Sequence, residues 1–144
     1  MDPARVAHDK SEISELLYRY ARGCDTGDWE LLRSVFTEDA KLDYTSAGCP
    51  VGRRDEMVAW LEQALSQLPW RLHHITNIEI DLDGDRAKVQ AMFYNPMQLP
   101  GMADPSYCGG RYYHDVVRTP SGWKSERLVE ENLWFANPMP GAQD

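Results

Sequence analysis

Two side chains of this 144-residue sequence could together make a base. Asp25 lies in the acidic turn Cys-Asp-Thr-Gly-Asp, and His74 lies in the run Leu-His-His-Ile-Thr-Asn. A buried, unpaired imidazole is a poor base, because burial disfavours its charged form; a carboxylate on one ring nitrogen fixes the tautomer and raises the basicity of the other. Such a base can take a proton from the carbon next to a carbonyl. The charge that then develops on oxygen needs hydrogen-bond donors in a dry site, and the phenols of Tyr20 and Tyr44 are candidates. Each residue also has a plainer reading. Asp25 could cap a helix, His74 could be a satisfied core histidine, and a tyrosine on an apolar helical stripe packs more often than it reacts.

The elements that must position these groups follow from spacing. Ile13, Leu16, Leu17, Tyr20 and Cys24 form one helical face, which predicts a helix from about Lys10 to Arg22, with Asp9 and Glu12 as a capping box and Gly23 at its end. Trp29, Leu32, Val35 and Phe36 predict a short second helix capped by Asp28. Ala40–Tyr44 alternates as a strand, and Ser46–Gly52 reads as a loop. A third helix is expected over Arg54–Leu68, closed by Pro69. Four β-type runs follow, Arg71–Leu82, Ala87–Met97, Gly109–Thr119 and Trp123–Phe135, joined at turn-forming residues. Helices followed by hairpin-linked strands imply one α+β domain over 1–144, with helices packed on one face of an antiparallel sheet and loose termini at 1–9 and 136–144.

Period-two alternation assigns faces to the strands. Leu72, His74, Thr76, Ile78, Ile80 and Leu82 share one side, which directs His74 to the interior and His73 to water. Val89, Ala91, Phe93, Asn95 and Met97 form the inner set of the next strand. The third strand is less decisive, with Tyr112, His114 and Val116 opposing Arg111, Tyr113, Asp115 and Val117. The candidate substrate contacts are Asn95, His114, Tyr112, Phe93 and Trp60.

A net charge of −8 argues against nucleic acid and anionic membrane as partners, since both need a basic face. No apolar run approaches the roughly 20 residues of a membrane span, and the start lacks a signal-peptide layout, so the cytoplasm is the expected location. Three cysteines without paired spacing fit reduced thiols. His73 and His74 point to opposite sides of a strand and cannot chelate one ion, and no glycine-rich phosphate cradle follows a strand. No metal and no cofactor are expected.

The segments CDTGDWELLRSVFTEDAKLDYTS, LHHITNIEI and YYHDVVRTPSGWK resemble the nuclear transport factor 2-like superfamily in its SnoaL-like branch, on the side of scytalone dehydratase and the bacterial bile acid dehydratases. The resemblance spans about residues 10 to 134. It implies a cystatin-like α+β barrel, a cone in which a curved antiparallel sheet wraps three N-terminal helices around an apolar pocket. By motif, it implies that Asp25 is the catalytic aspartate, His74 the histidine it orients, and Tyr44 the tyrosine that holds a substrate carbonyl through water. Tyr20 matches a helix-1 tyrosine of related enzymes, and His114 an oxyanion-donor position. The chain departs from scytalone dehydratase at Cys24, where that family has tyrosine, and near Asn95 and Met97, where it has a second histidine. The implied activity is that of a cofactor-free lyase acting on a small, largely apolar cyclic or polyketide-like hydroxy-carbonyl compound. An isomerase or cyclase using the same dyad, or a non-catalytic assembly module, are the alternatives. Homodimers or homotrimers through the outer sheet face are implied as well, with Trp123 and Trp134 as anchors if they point outward.

Overall fold

The computed structural model of the protein describes residues 2–141. Helix α1 spans Pro3–Thr26, α2 Trp29–Ser34 and α3 Arg54–Leu65. The strands are β1 Phe36–Asp43, β2 Val51–Arg53, β3 Trp70–Arg71, β4 His74–Asp83, β5 Arg86–Gln98, β6 Ser106–Thr119 and β7 Gly122–Ala136. They form one open, curved sheet in the order β2-β1-β7-β6-β5-β3, with β4 also pairing with β5. All pairings are antiparallel except β1 with β7, which is parallel. The α+β architecture expected from the sequence is the one observed.

Helix α1 starts earlier than its apolar stripe. Asp2 caps it by accepting from the Ala4 amide, and Pro3 occupies the first turn, where a missing N–H costs nothing. Asp9 is therefore not a cap. It is buried within the helix, where Arg118 clamps its carboxylate with two bonds of 2.9 and 2.8 Å and Trp123 Nε1 adds a third at 3.3 Å. Residues 3–9 are thus helical, with Asp9 pinned to β6 and β7, instead of forming a loose terminus. Trp123 is buried beneath the Arg118 guanidinium and cannot be an outward anchor. At the other end α1 runs past Gly23 to a left-handed cap at Gly27, φ 70°. Gly23 lies where α2 crosses: a β-carbon there would sit 3.1 Å from Leu32. Of the expected C-terminal tail, Asn137 is tied down by bonds with Ser106, Asp104 and Pro105, while 142–144 lie outside the described residues.

The sheet's inner face is set by bulges. In β4 the pairing with β5 slips between Thr76 and Glu79, where Asn77 adopts a left-handed φ of 52°. In β7 the register with β6 slips twice, past Glu126 and past Leu133. Each extra residue reverses which alternate positions face inward. The second β7 slip lies opposite Gly109 and Gly110, and a β-carbon on Gly110 would run into the Glu131 carbonyl oxygen while lying 3.1 Å from the Phe93 ring. Gly110→Ala should therefore lower stability by about 2–3 kcal/mol through overpacking. Chemical denaturation checks this, and an unchanged midpoint would mean that the bulge relaxes freely.

Candidate functional site

The break between β3 and β4 builds the centre of the site. Leu72 N–H still donates to Pro96 O, but the His73 amide leaves the ladder and donates to both oxygens of Asp25, at 3.0 and 2.9 Å. The His73 Nδ1 lies 2.6 Å from Asp25 Oδ1. The carboxylate has no proton to give, so Nδ1 carries the hydrogen and Nε2 holds the lone pair. Both side chains are mostly buried, at 10% exposure for His73 and 18% for Asp25. Asp25 is available because Asp28, three residues on, caps α2 by accepting from Leu31 N–H.

The histidine held by Asp25 is thus His73 and not His74. His74 is exposed on the outer face with Nδ1 3.1 Å from Tyr94 O. The alternation that set His74 inward takes its phase from Ile78, Ile80 and Leu82, which are the inward-facing residues beyond Asn77. The bulge at Asn77 reverses that phase, so that His73 and Ile75 are the inward residues before it.

His73 opens onto a cavity of about 200 Å³ between the sheet and α3. Tyr20, Tyr44, Trp60, Asn95 and Tyr112 line it too. His114 and Phe93 lie beneath it: Phe93 stacks on Tyr112 with ring centres 4.5 Å apart, and His114 Nδ1 is 2.9 Å from Ser125 Oγ. Ser125 gives its own hydrogen to Arg127 O, so the His114 ring donates, and burial pushes its pKa down to about 4. His114 is a neutral group of the core.

The lining is poor in charge. Tyr20 and Tyr44 share a hydrogen bond of 2.7 Å between their hydroxyls. That pair holds two O–H hydrogens and uses one internally, which leaves one for a ligand. The Tyr112 hydroxyl and Asn95 Oδ1 are buried without a partner among the described residues. Burial raises the pKa of all three phenols well above the ordinary value, so each stays protonated as a donor. Burial likewise pushes up the thiols of Cys24 and Cys108, the latter to about 12, which removes them as nucleophiles. Among the described residues no group of three His, Cys, Asp or Glu is placed to hold a metal ion.

The sequence matches the SnoaL-like domain family over residues 5–129. The chain belongs to the SnoaL-like family. The uncharacterized protein Rv2910c of Mycobacterium tuberculosis is 37% identical over 123 residues, covering 85% of this chain and 84% of that protein. Among solved structures, the Kfla4162 protein of Kribbella flavida superimposes with a TM-score of 0.84 at 27% identity, covering 92% of this chain and 95% of that one. A hexachlorocyclohexane dehydrochlorinase superimposes with a TM-score of 0.80 at 18% identity, covering 97% and 94%, and shares the fold. No described helix of this SnoaL-like protein is long and apolar enough to cross a membrane.

Several lining residues gave no signal in the sequence. Arg71 donates from Nε to Cys24 O at 2.8 Å and from Nη1 to Leu65 O at 2.9 Å, satisfying the open carbonyl ends of α1 and α3 that frame the cavity. Glu130 and Asn132 come from β7, in the stretch between its two bulges. Ser46 joins that strand to the Tyr44 turn: its hydroxyl donates to Glu130 O at 2.6 Å and accepts from Asn132 N–H at 2.8 Å.

Proposed function

We propose that this protein is a cofactor-free lyase that removes water from a small cyclic or polyketide-like β-hydroxy ketone, with His73 as the base. The observation that carries this reading is His73 on the wall of an apolar cavity, with its Nδ1 held by Asp25. Nε2 takes the proton α to the carbonyl, and the Asp25 carboxylate stabilises the imidazolium that forms. The spare hydroxyl of the Tyr20–Tyr44 pair and the Tyr112 phenol donate to the enolate oxygen, and such donors are worth a few kcal/mol each in a dry site. A cavity of about 150 Å³ holds a benzene molecule, so about 200 Å³ suits a substrate of one or two rings. The largely uncharged lining favours a neutral one.

The open cavity, and the capping of α2 by Asp28 instead of Asp25, support an enzyme over a non-catalytic assembly module. Self-association uses the outer sheet face, where Tyr94 stacks against both Tyr107 and Trp134 and Trp134 is 45% exposed. The test of the reaction is incubation with a panel of cyclic β-hydroxy ketones, followed by mass analysis. Loss of one water is the expected result. Products of unchanged mass would assign an isomerase or a cyclase using the same base, and no turnover of any ketone would sink the enzyme reading.

A further inference from the structure

Glu130 is the only acidic residue lining the cavity among the described residues, and the proton abstraction above does not use it. It stands directly across the β6–β7 ladder from Tyr112, on the same wall. The Tyr20 ring packs edge-on against both that wall and the base, with its centre 5.4 Å from the Tyr112 ring and 6.2 Å from the His73 ring. The next residue, Glu131, faces outward and has its charge matched by Arg111 at 3.2 Å, with Tyr113 donating at 3.3 Å. Among the described residues Glu130 has no such cation paired with it. It shares the cavity with Tyr112 and Cys108 of β6, Tyr44 and Cys49 of the segment after β1 and Tyr20 of α1, and its charge also reaches Cys24, all of them neutral. His73 and Arg71 line the cavity too, and the Arg71 guanidinium donates to two backbone carbonyls.

Burial of a carboxylate without a cation favours its neutral form, and here it pushes the pKa up to about 7. A carboxylic acid of that strength inside a reaction cavity is a proton donor near neutral pH.

We propose that Glu130 is a second catalytic group, which enters the reaction as the carboxylic acid and protonates the departing hydroxyl, so that the cavity is matched to β-hydroxy ketones and not to compounds whose leaving group departs as a stable anion. This rests on the elimination proposed above. His73 Nε2 takes the α-proton, and the electrons of that C–H bond make the enolate. The enolate re-forms the carbonyl, a double bond forms between the α and β carbons, and the β carbon–oxygen bond breaks. Glu130 gives its proton to the departing oxygen, which leaves as water. The imidazolium then loses its proton to solvent water and the Glu130 carboxylate takes one up from it, so the protons balance and the enzyme is restored with no other reactant.

The experiment compares wild type and Glu130→Gln on 3-hydroxycyclohexanone, on 3-chlorocyclohexanone, and on cyclohexanone in heavy water, where exchange of the α-hydrogens reports the base alone. Loss of water should fall roughly 10²–10³-fold in the variant. Chloride loss and α-exchange should stay within a few-fold, because neither needs an acid. In wild type the rate of water loss should fall as pH rises through about 7, since only the protonated acid can donate, and Glu130→Gln should remove that limb. Unchanged water loss in the variant overturns the role of Glu130 and assigns the proton to the imidazolium, while the base chemistry stands. Absence of α-exchange in wild type overturns the elimination itself and this proposal with it. Carbon-13 NMR of the Glu130 carboxyl in wild type is an independent check: titration in the ordinary range near 4.5 would remove the acid whatever the variant does.

Discussion

Glutamine in place of His73 should lower turnover roughly 10²–10⁴-fold, and glutamine in place of His74 should change it less than about two-fold. The two histidines are adjacent, so any effect of local charge or strand propensity would strike both. They differ in what their rings touch. His73 presents Nε2 to the cavity with Nδ1 on Asp25, whereas His74 lies on the exposed face with Nδ1 on the Tyr94 carbonyl. The fold should survive either change, because the bonds that seat this segment come from the position-73 amide to Asp25 and from Leu72 to Pro96, and both use backbone N–H groups. Steady-state turnover of a β-hydroxy ketone and α-hydrogen exchange in heavy water should fall together in His73→Gln, with thermal stability near that of wild type. A variant pair in which His74→Gln is the inactive member would place the base on the other face of the sheet and discard the site as described.

The exchange of one histidine for its neighbour shows where sequence reading succeeds on this chain and where it stops. Helical spacing works because α1 is uninterrupted: Ile13, Leu16, Leu17, Tyr20 and Cys24 are all buried on one face, and the helix carries Tyr20 to the cavity and Asp25 to the His73 ring. Period-two alternation works only between bulges. In β5, which keeps one phase from Ala87 to Asn95, the inner set of Val89, Ala91, Phe93 and Asn95 is buried as alternation predicts. In β4 the apolar residues beyond Asn77 set a phase that does not hold before it. The clue available was Asn77 itself, a residue type that tolerates the left-handed conformation a bulge can require. In β7 two slips enclose Glu130 and Glu131, and nothing in a Val-Glu-Glu-Asn run tells which carboxylate faces in. The Gly109-Gly110 pair marks the close approach that makes one of those slips, but it does so only once the partner strand is known. A half-buried acid with no cation paired to it in the described structure is legible from packing and not from pattern.

Asn in place of Asp25 should cost as much as losing His73 itself, roughly 10²–10⁴-fold in turnover, although it removes one charge and almost no volume. The aspartate serves two donors from one residue, the His73 amide and the Nδ1 hydrogen, and it has two acceptor oxygens for them. An asparagine has one acceptor oxygen. If that oxygen takes the amide, its NH₂ group faces Nδ1, which must then become the acceptor; the ring hydrogen moves to Nε2, and the nitrogen facing the cavity is no longer a base. Asp25 acts through His73, so the decisive readout is the tautomer. Nitrogen-15 NMR should find the hydrogen on Nδ1 in wild type and on Nε2 in Asp25→Asn, with KM and thermal stability little changed. The double variant with His73→Gln should be no slower than either single one, because both remove the same function. Multiplying losses, or an active Asp25→Asn with the wild-type tautomer, would mean that the carboxylate only ties the strand to α1 and that the base is oriented by something else.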